Sequence, residues 1–208
     1  MSDKEVIVVS TGTANLASVL AGLNRAGAKP RLSTDVEEIT HAKVLVLPGV
    51  GAMAAAMENL VRANLVEPLT ERIKDGRPTL CVCLGLQLLC KGSEESPDVK
   101  GFGVIDDNIT RFPDTVTVPQ LGWNKVEPYG TCNCVESGYA YFANSFRLEK
   151  PPEGWNCSVA DHGGQFVASM ARGGVLACQF HPELSGKWGF DLLSRWLEAS
   201  FKTGGRQC

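Results

Sequence analysis

Histidine is scarce in this chain, with three among 208 residues. Any histidine-dependent chemistry must use His41, His162 or His181. Positive charge is also short. The formal net charge is −3 and no basic block occurs, which speaks against a nucleic-acid partner. No segment approaches the ~20 apolar residues that a membrane-spanning helix needs. The longest apolar stretch, residues 80–90, is interrupted by Gly85 and Gln87. The opening Met1-Ser2-Asp3-Lys4-Glu5 leads into an apolar run too short for a secretory leader. The expectation is a cytoplasmic protein that meets no membrane.

Zinc-type cysteine spacing is absent as well. Cysteines stand at 81, 83, 90, 132, 134, 157, 178 and 208. The pairs 81/83 and 132/134 have one intervening residue, where zinc pairs usually have two or more, and no histidine cluster accompanies them. Neither a metal nor a cofactor is expected.

What the chain does contain is a series of βα units. Residues 5–10 are β-branched and nearly continuous, as in a strand buried on both faces. Thr11-Gly12-Thr13 reads as a turn. Residues 14–26 then place Leu16, Val19, Leu20 and Leu23 on one helical stripe, and Gly27 ends it. Short strands are expected at 29–33 and 43–47, with a short helix between them. Helices are expected at 52–59 and 65–74, and a strand at 79–82. This order predicts a parallel sheet covered by helices. Residues 91–103 are polar and read as a loop. Broken strands at 104–112, 123–127, 141–146, 155–160, 166–170 and 174–180 predict an antiparallel addition to the same sheet, and 187–201 predicts a closing helix.

The chemistry centres on Cys81-Val82-Cys83-Leu84-Gly85-Leu86-Gln87. A strand, a small reactive residue, a glycine two positions later and a helix-like run to Leu89 outline a nucleophile elbow. Helix-terminal N–H groups there favour a thiolate, the reactive form of cysteine. Taken alone, the stretch fits a small buried thiol equally well. Gly49 and Gly51, after the strand at 43–47, also lie at the carboxyl end of a strand, where such sheets bind ligands.

A cysteine nucleophile usually needs a base. His41 precedes a strand on its amino side, and His162 lies in a turn between antiparallel strands. His181 closes an apolar strand. Pro182 biases it toward extended backbone, which would set His181 and Glu183 side by side. The triad Cys83–His181–Glu183 follows.

These residues resemble the triad (class I) glutamine amidotransferases, which carry a Gly-x-Cys-x-Gly-x-Gln elbow and a late His-Pro-Glu. Within that family the chain is most similar to glutaminase subunits of imidazole glycerol phosphate synthases. The similarity rests on Ala14-Asn15-Leu16-Ala17-Ser18-Val19, Leu47-Pro48-Gly49-Val50-Gly51, Cys83-Leu84-Gly85-Leu86-Gln87-Leu88-Leu89, Ser93-Glu94-Glu95-Ser96, Gly122-Trp123-Asn124 and Gln179-Phe180-His181-Pro182-Glu183, in that order.

The resemblance implies an α/β, flavodoxin-like fold in one domain over 1–208. Its central sheet would be mostly parallel, with helices on both faces and an antiparallel strand extension. It implies that Cys83 attacks L-glutamine, that His181 handles protons and that Glu183 holds His181. The oxyanion would meet the N–H groups of Leu84 and Val50, with Gly49 and Gly51 permitting a backbone turn. Gln87, Glu95, Ser145 and Phe146 would face the substrate's amino-acid end. Ammonia would pass to a separate (β/α)8 cyclase subunit in a heterodimer. The glutaminase of another amidotransferase, such as that of pyridoxal phosphate synthesis, and a catalytically weak regulatory module on the same fold are the alternatives.

Four positions depart from the family pattern. Cys81 stands where the first elbow glycine is usual. Leu184 replaces a basic residue after His-Pro-Glu, and Asn144 and Gln120 each replace a histidine.

Overall fold

Val6 and Val8 pack against helices on one side of the first strand, and Ile7 and Val9 against helices on the other. That double burial is why the strand reads as an unbroken apolar run. The computed structural model describes residues 4–10, 15–130 and 135–202. The expected turn Thr11-Gly12-Thr13, Ala14 at the expected helix start, Cys132, Cys134 and Cys208 lie outside the described residues.

The first half alternates strand and helix: β1 (Glu5–Val9), α1 (Leu16–Arg25), β2 (Lys29–Ser33), α2 (Val36–His41), β3 (Leu45–Gly49), α3 (Met53–Arg62), α4 (Val66–Lys74), β4 (Thr79–Cys83) and α5 (Leu84–Gln87). Strands then dominate: β5 (Cys90–Ser93), β6 (Ile105–Arg111), β7 (Gln120–Pro128), β8 (Gly138–Asn144), β9 (Phe146–Arg147), β10 (Asn156–Asp161), β11 (Gln165–Arg172) and β12 (Val175–Cys178). A 3-10 turn (Pro182–Leu184) and α6 (Gly186–Phe201) close the described chain.

Nine strands form one sheet in the order β2-β1-β3-β4-β12-β11-β10-β7-β8. Pairing is parallel from β2 to β12 and antiparallel from there to β8. The sheet is therefore mostly parallel at its centre with an antiparallel extension. Residues of α1 and α6 cover one face, and residues of α2, α3 and α4 the other. β4 lies between β3 and β12, so Cys83 rises at mid-sheet.

The amino end of β4 is tied down by a buried arginine. Arg72 donates to the carbonyls of Ala42 at 2.7 Å and Pro78 at 2.8 Å, and to Thr79 Oγ1 at 3.0 Å. Burial lowers its pKa to about 10, with Arg77 adding to the effect.

Three expectations need correction. The polar stretch 91–103 is not wholly loop, because β5 pairs in parallel with β6 and joins β9 in a small second sheet. Gly101 allows this, since a Cβ there would stand 2.2 Å from the Cys90 carbonyl oxygen. The helix after Cys83 is one turn long, not a run to Leu89. It offers free N–H groups but little of the summed dipole of a long helix. Finally, β12 ends at Cys178, and His181 and Glu183 are set by the 3-10 turn rather than by continuous extended backbone. Pro182 opens that turn with a φ suited to a first helical position.

Candidate active site

Cys83 has φ 53° and ψ −108°, a conformation rare for a residue with a side chain. Such backbone strain costs roughly 1–3 kcal/mol and persists only where the surroundings impose it. Here two glycines allow close packing around the turn. A Cβ on Gly85 would lie 2.2 Å from the Leu47 carbonyl oxygen, and one on Gly49 would lie 2.9 Å from the Leu84 Cβ. The elbow therefore sits directly against β3.

His181 Nδ1 lies 2.9 Å from Glu183 Oε1, and both side chains are buried. Their backbone is held from three directions. His181 N–H donates to the Tyr141 carbonyl at 2.9 Å, Ser185 Oγ donates to the His181 carbonyl at 2.7 Å, and Arg25 Nη2 donates to the Glu183 carbonyl at 3.2 Å. Gly22 lets α1 come close, since a Cβ there would meet the Glu183 Cβ at 2.8 Å. The second carboxylate oxygen, Oε2, is buried without a hydrogen-bond partner.

The His181 pKa is raised to about 10. Burial pushes it down, but hydrogen bonds to Cys83 and Glu183, together with their negative charges, outweigh burial. The imidazolium form is favoured beside the cysteine sulfur. Burial pushes Cys81 and Cys90 up to about 12 and raises Cys178 well above its usual value. These three are buried thiols with little thiolate character.

A cavity of about 230 Å³ opens beside Cys83. Of the residues expected at the site, Val50, Gly51, Leu84, Gln87, Glu95, Ser145 and Phe146 line it together with Cys83. Gly49 does not. It borders a separate small hollow of about 10 Å³, with Val50, His181 and Glu183. The two glycines thus differ in role: Gly49 serves close approach, and Gly51 adopts φ +90°. Glu95 is exposed, and its Oε2 accepts from the Met53 N–H at 3.1 Å, at the start of α3.

Gln179 was part of a recognised motif but carried no expected role. It is fully buried, and its Nε2 lies 3.7 Å from Cys83 Sγ. Its place in the recognised Gln179-Phe180-His181-Pro182-Glu183 motif is the signal that could have found it. Asn144, one of the departures, lines the cavity too, and its Nδ2 donates to the Phe146 carbonyl at 2.9 Å. Among the described residues, no three His, Cys, Asp or Glu side chains group to hold a metal ion. No helix among them is long and apolar enough to cross a membrane.

A strained cysteine at the carboxyl end of a central parallel strand, electrostatically coupled to a buried His–Glu pair, makes this the candidate active site of an α/β enzyme. The family model "Glutamine amidotransferase class-I" matches residues 9–196. The chain belongs to the class-I glutamine amidotransferases, and with them it is a glutaminase. Its relatives include imidazole glycerol phosphate synthase subunit HisH of Symbiobacterium thermophilum, 35% identical over 195 residues and covering 92% of each chain. The protein of the same name from Idiomarina loihiensis is 38% identical over 196 residues, covering 93% of this chain and 97% of its own. A solved structure described as a glutamine amidotransferase superposes with a TM-score of 0.70 at 20% identity, covering 90% of this chain and 98% of that one, which shows the shared fold.

Proposed function

We propose that this chain is the glutaminase subunit of an imidazole glycerol phosphate synthase, with Cys83, His181 and Glu183 as its catalytic triad. The observation that carries this reading is the strained Cys83 lining a cavity sized for a small amide substrate, with the buried His181–Glu183 pair, 2.9 Å apart, electrostatically coupled to it. The Cys83 thiolate attacks the side-chain carbonyl carbon of L-glutamine. The N–H groups of Leu84 and Val50 receive the oxyanion, and removing such a donor typically slows turnover ~100–1,000-fold. The C–N bond then breaks, His181 gives its proton to the departing nitrogen, and a thioester and ammonia result.

Forming the thioester removes the Cys83 charge and its hydrogen bond. These are two of the influences that keep His181 protonated. Its basicity therefore falls against burial, and the neutral imidazole takes a proton from water. Hydroxide adds to the thioester, the thiolate leaves, the new carboxyl group gives its proton to the released ammonia, and glutamate, ammonium and the imidazolium–thiolate pair result. One histidine serves as acid and then as base because its partner's charge is consumed in between. Glu183 holds the ring throughout. Gln87, Glu95 and the backbone at Ser145 and Phe146 receive the amino-acid end of the substrate.

The acceptor of the ammonia is a separate (β/α)8 cyclase subunit. An exposed apolar patch supports a docked partner next to the triad. Leu121 is 68% exposed, Trp123 58% and Tyr139 60%, all on β7 and β8, and Leu184 directly follows Glu183. Trp123 packs edge-on against Tyr141 at 6.3 Å between centroids, and the Tyr141 carbonyl accepts from His181 N–H. Contiguous exposed aromatics of this kind mark contact surfaces. Gly51, with open space where a Cβ would stand, leaves the neighbouring peptide room to turn when the partner binds. Glutamine hydrolysis should be slow for the chain alone and rise strongly when the cyclase and its nucleotide substrate are added. The Trp123→Ala change should reduce that rise. Fast hydrolysis that no cyclase alters would contradict the coupling.

A further inference from the structure

We propose that Gln179 is a positioning residue for the nucleophile: its side-chain amide donates a hydrogen bond to the Cys83 sulfur and is aimed there by Gln87. The inference rests on the glutaminase reading of Cys83 and adds a group which that reading does not use.

The direction of the amide is set by a chain of hydrogen bonds. The Phe146 carbonyl can only accept, and Gln87 Nε2 donates to it at 3.3 Å. The same nitrogen donates to Gln179 Oε1 at 3.0 Å. With its oxygen held there, Gln179 must turn its Nε2 toward Cys83 Sγ, 3.7 Å away. The flipped amide would set two NH2 groups against each other and aim an oxygen at the sulfur. The Gln179 backbone is fixed as well, since its N–H donates to the Ala168 carbonyl at 2.8 Å.

A fully buried amide is a costly filler where an apolar side chain would pack. The bond it makes is weak to a neutral thiol and stronger to a thiolate, because hydrogen bonds to ions are about twice as strong as neutral ones. Its return therefore comes with the reactive form of Cys83. Gln179 does not line the cavity, so it acts on the sulfur and not on the substrate. Phe146 does line it. Contact between glutamine and the backbone at Phe146 thus reaches the sulfur through Gln87 and Gln179.

The test is the pH dependence of Cys83 alkylation by iodoacetamide, read on the Cys83 peptide by mass spectrometry, in the wild-type chain and in Gln179→Met. The expected result is a midpoint shifted to higher pH, with alkylation below it about tenfold slower, the size of one lost charge-assisted hydrogen bond. In the glutaminase assay kcat should fall about tenfold by the same reasoning, with KM for glutamine little changed. An alkylation profile that superimposes on the wild type in folded Gln179→Met would overturn the proposal. If circular dichroism shows that variant unfolded, Gln87→Met decides. It frees the amide, and it should shift the profile in the same direction by a smaller amount; a profile matching the wild type overturns the proposal. Alkylation needs no glutamine. Failure of wild-type hydrolysis would therefore count against the glutaminase reading alone, and an unshifted profile against Gln179 alone.

Discussion

Gly49 lies opposite Cys83 in the parallel β3–β4 ladder and stands so close to Leu84 that a Cβ there would come within 2.9 Å of the Leu84 Cβ. Leu84 is the first residue after the elbow, and its N–H is the proposed oxyanion donor. The Gly49→Ala change should therefore displace the elbow, since its neighbour along the ladder must shift. Overpacking of this kind typically destabilises by about 1–3 kcal/mol. Thermal unfolding and glutamine turnover should both decline. Full turnover in this variant would mean that the Leu84 N–H position does not matter.

The charge on His181 should depend on Cys83. In the wild type the imidazole pKa is raised to about 10 through its hydrogen bonds to Cys83 and Glu183, against burial. In Cys83→Ala the first of these is gone, so the pKa should fall. Nitrogen-edited NMR titration of the His181 ring would measure it. The sign for stability follows by linkage. An unfolded histidine titrates near 6.5, so the folded state gains stability that is complete below that pH and is lost as pH rises through about 10. Cys83→Ala should weaken this alkaline dependence. An unchanged titration would show that sulfur and imidazole are not paired.

Most of the parallel half was legible because a sheet buried on both faces imposes unbroken apolar strands, as at Val6 to Val9 and Leu45 to Leu47. The elbow was legible too, since Gly85 is the residue type that a contact as close as Leu47 demands. β5 was not. Its pairing with β6 is made by backbone groups, and the polar composition around Ser93 carries no trace of it. His181 and Glu183 lie side by side, but the 3-10 turn, not extended backbone alone, sets them there. Proline favours an extended residue before it and itself suits the first helical position, and the chain uses both. The Gln87–Gln179–Cys83 line joins segments far apart in sequence, which no local pattern encodes.

Cys81 occupies the place of a glycine usual in this family, yet the elbow forms with it fully buried among the core residues Leu47, Leu84 and Leu86. The Cys81→Gly change should keep or raise glutamine turnover by relieving space under the turn. It should also lower the unfolding temperature, because a strand glycine and the lost side-chain packing together cost about 1–3 kcal/mol. Parallel measurement of kcat and thermal unfolding separates the two effects. Loss of turnover in a folded Cys81→Gly protein would give Cys81 a part in the chemistry.

The central claim is that one sulfur, Cys83, carries the glutamyl group. Its most direct test is to treat the chain with a glutamine-derived electrophile, digest it and locate the adduct by mass spectrometry. A single modified peptide is expected, at Cys83, with glutamine turnover lost in proportion to its labelling. Modification of another cysteine with Cys83 left free would contradict it.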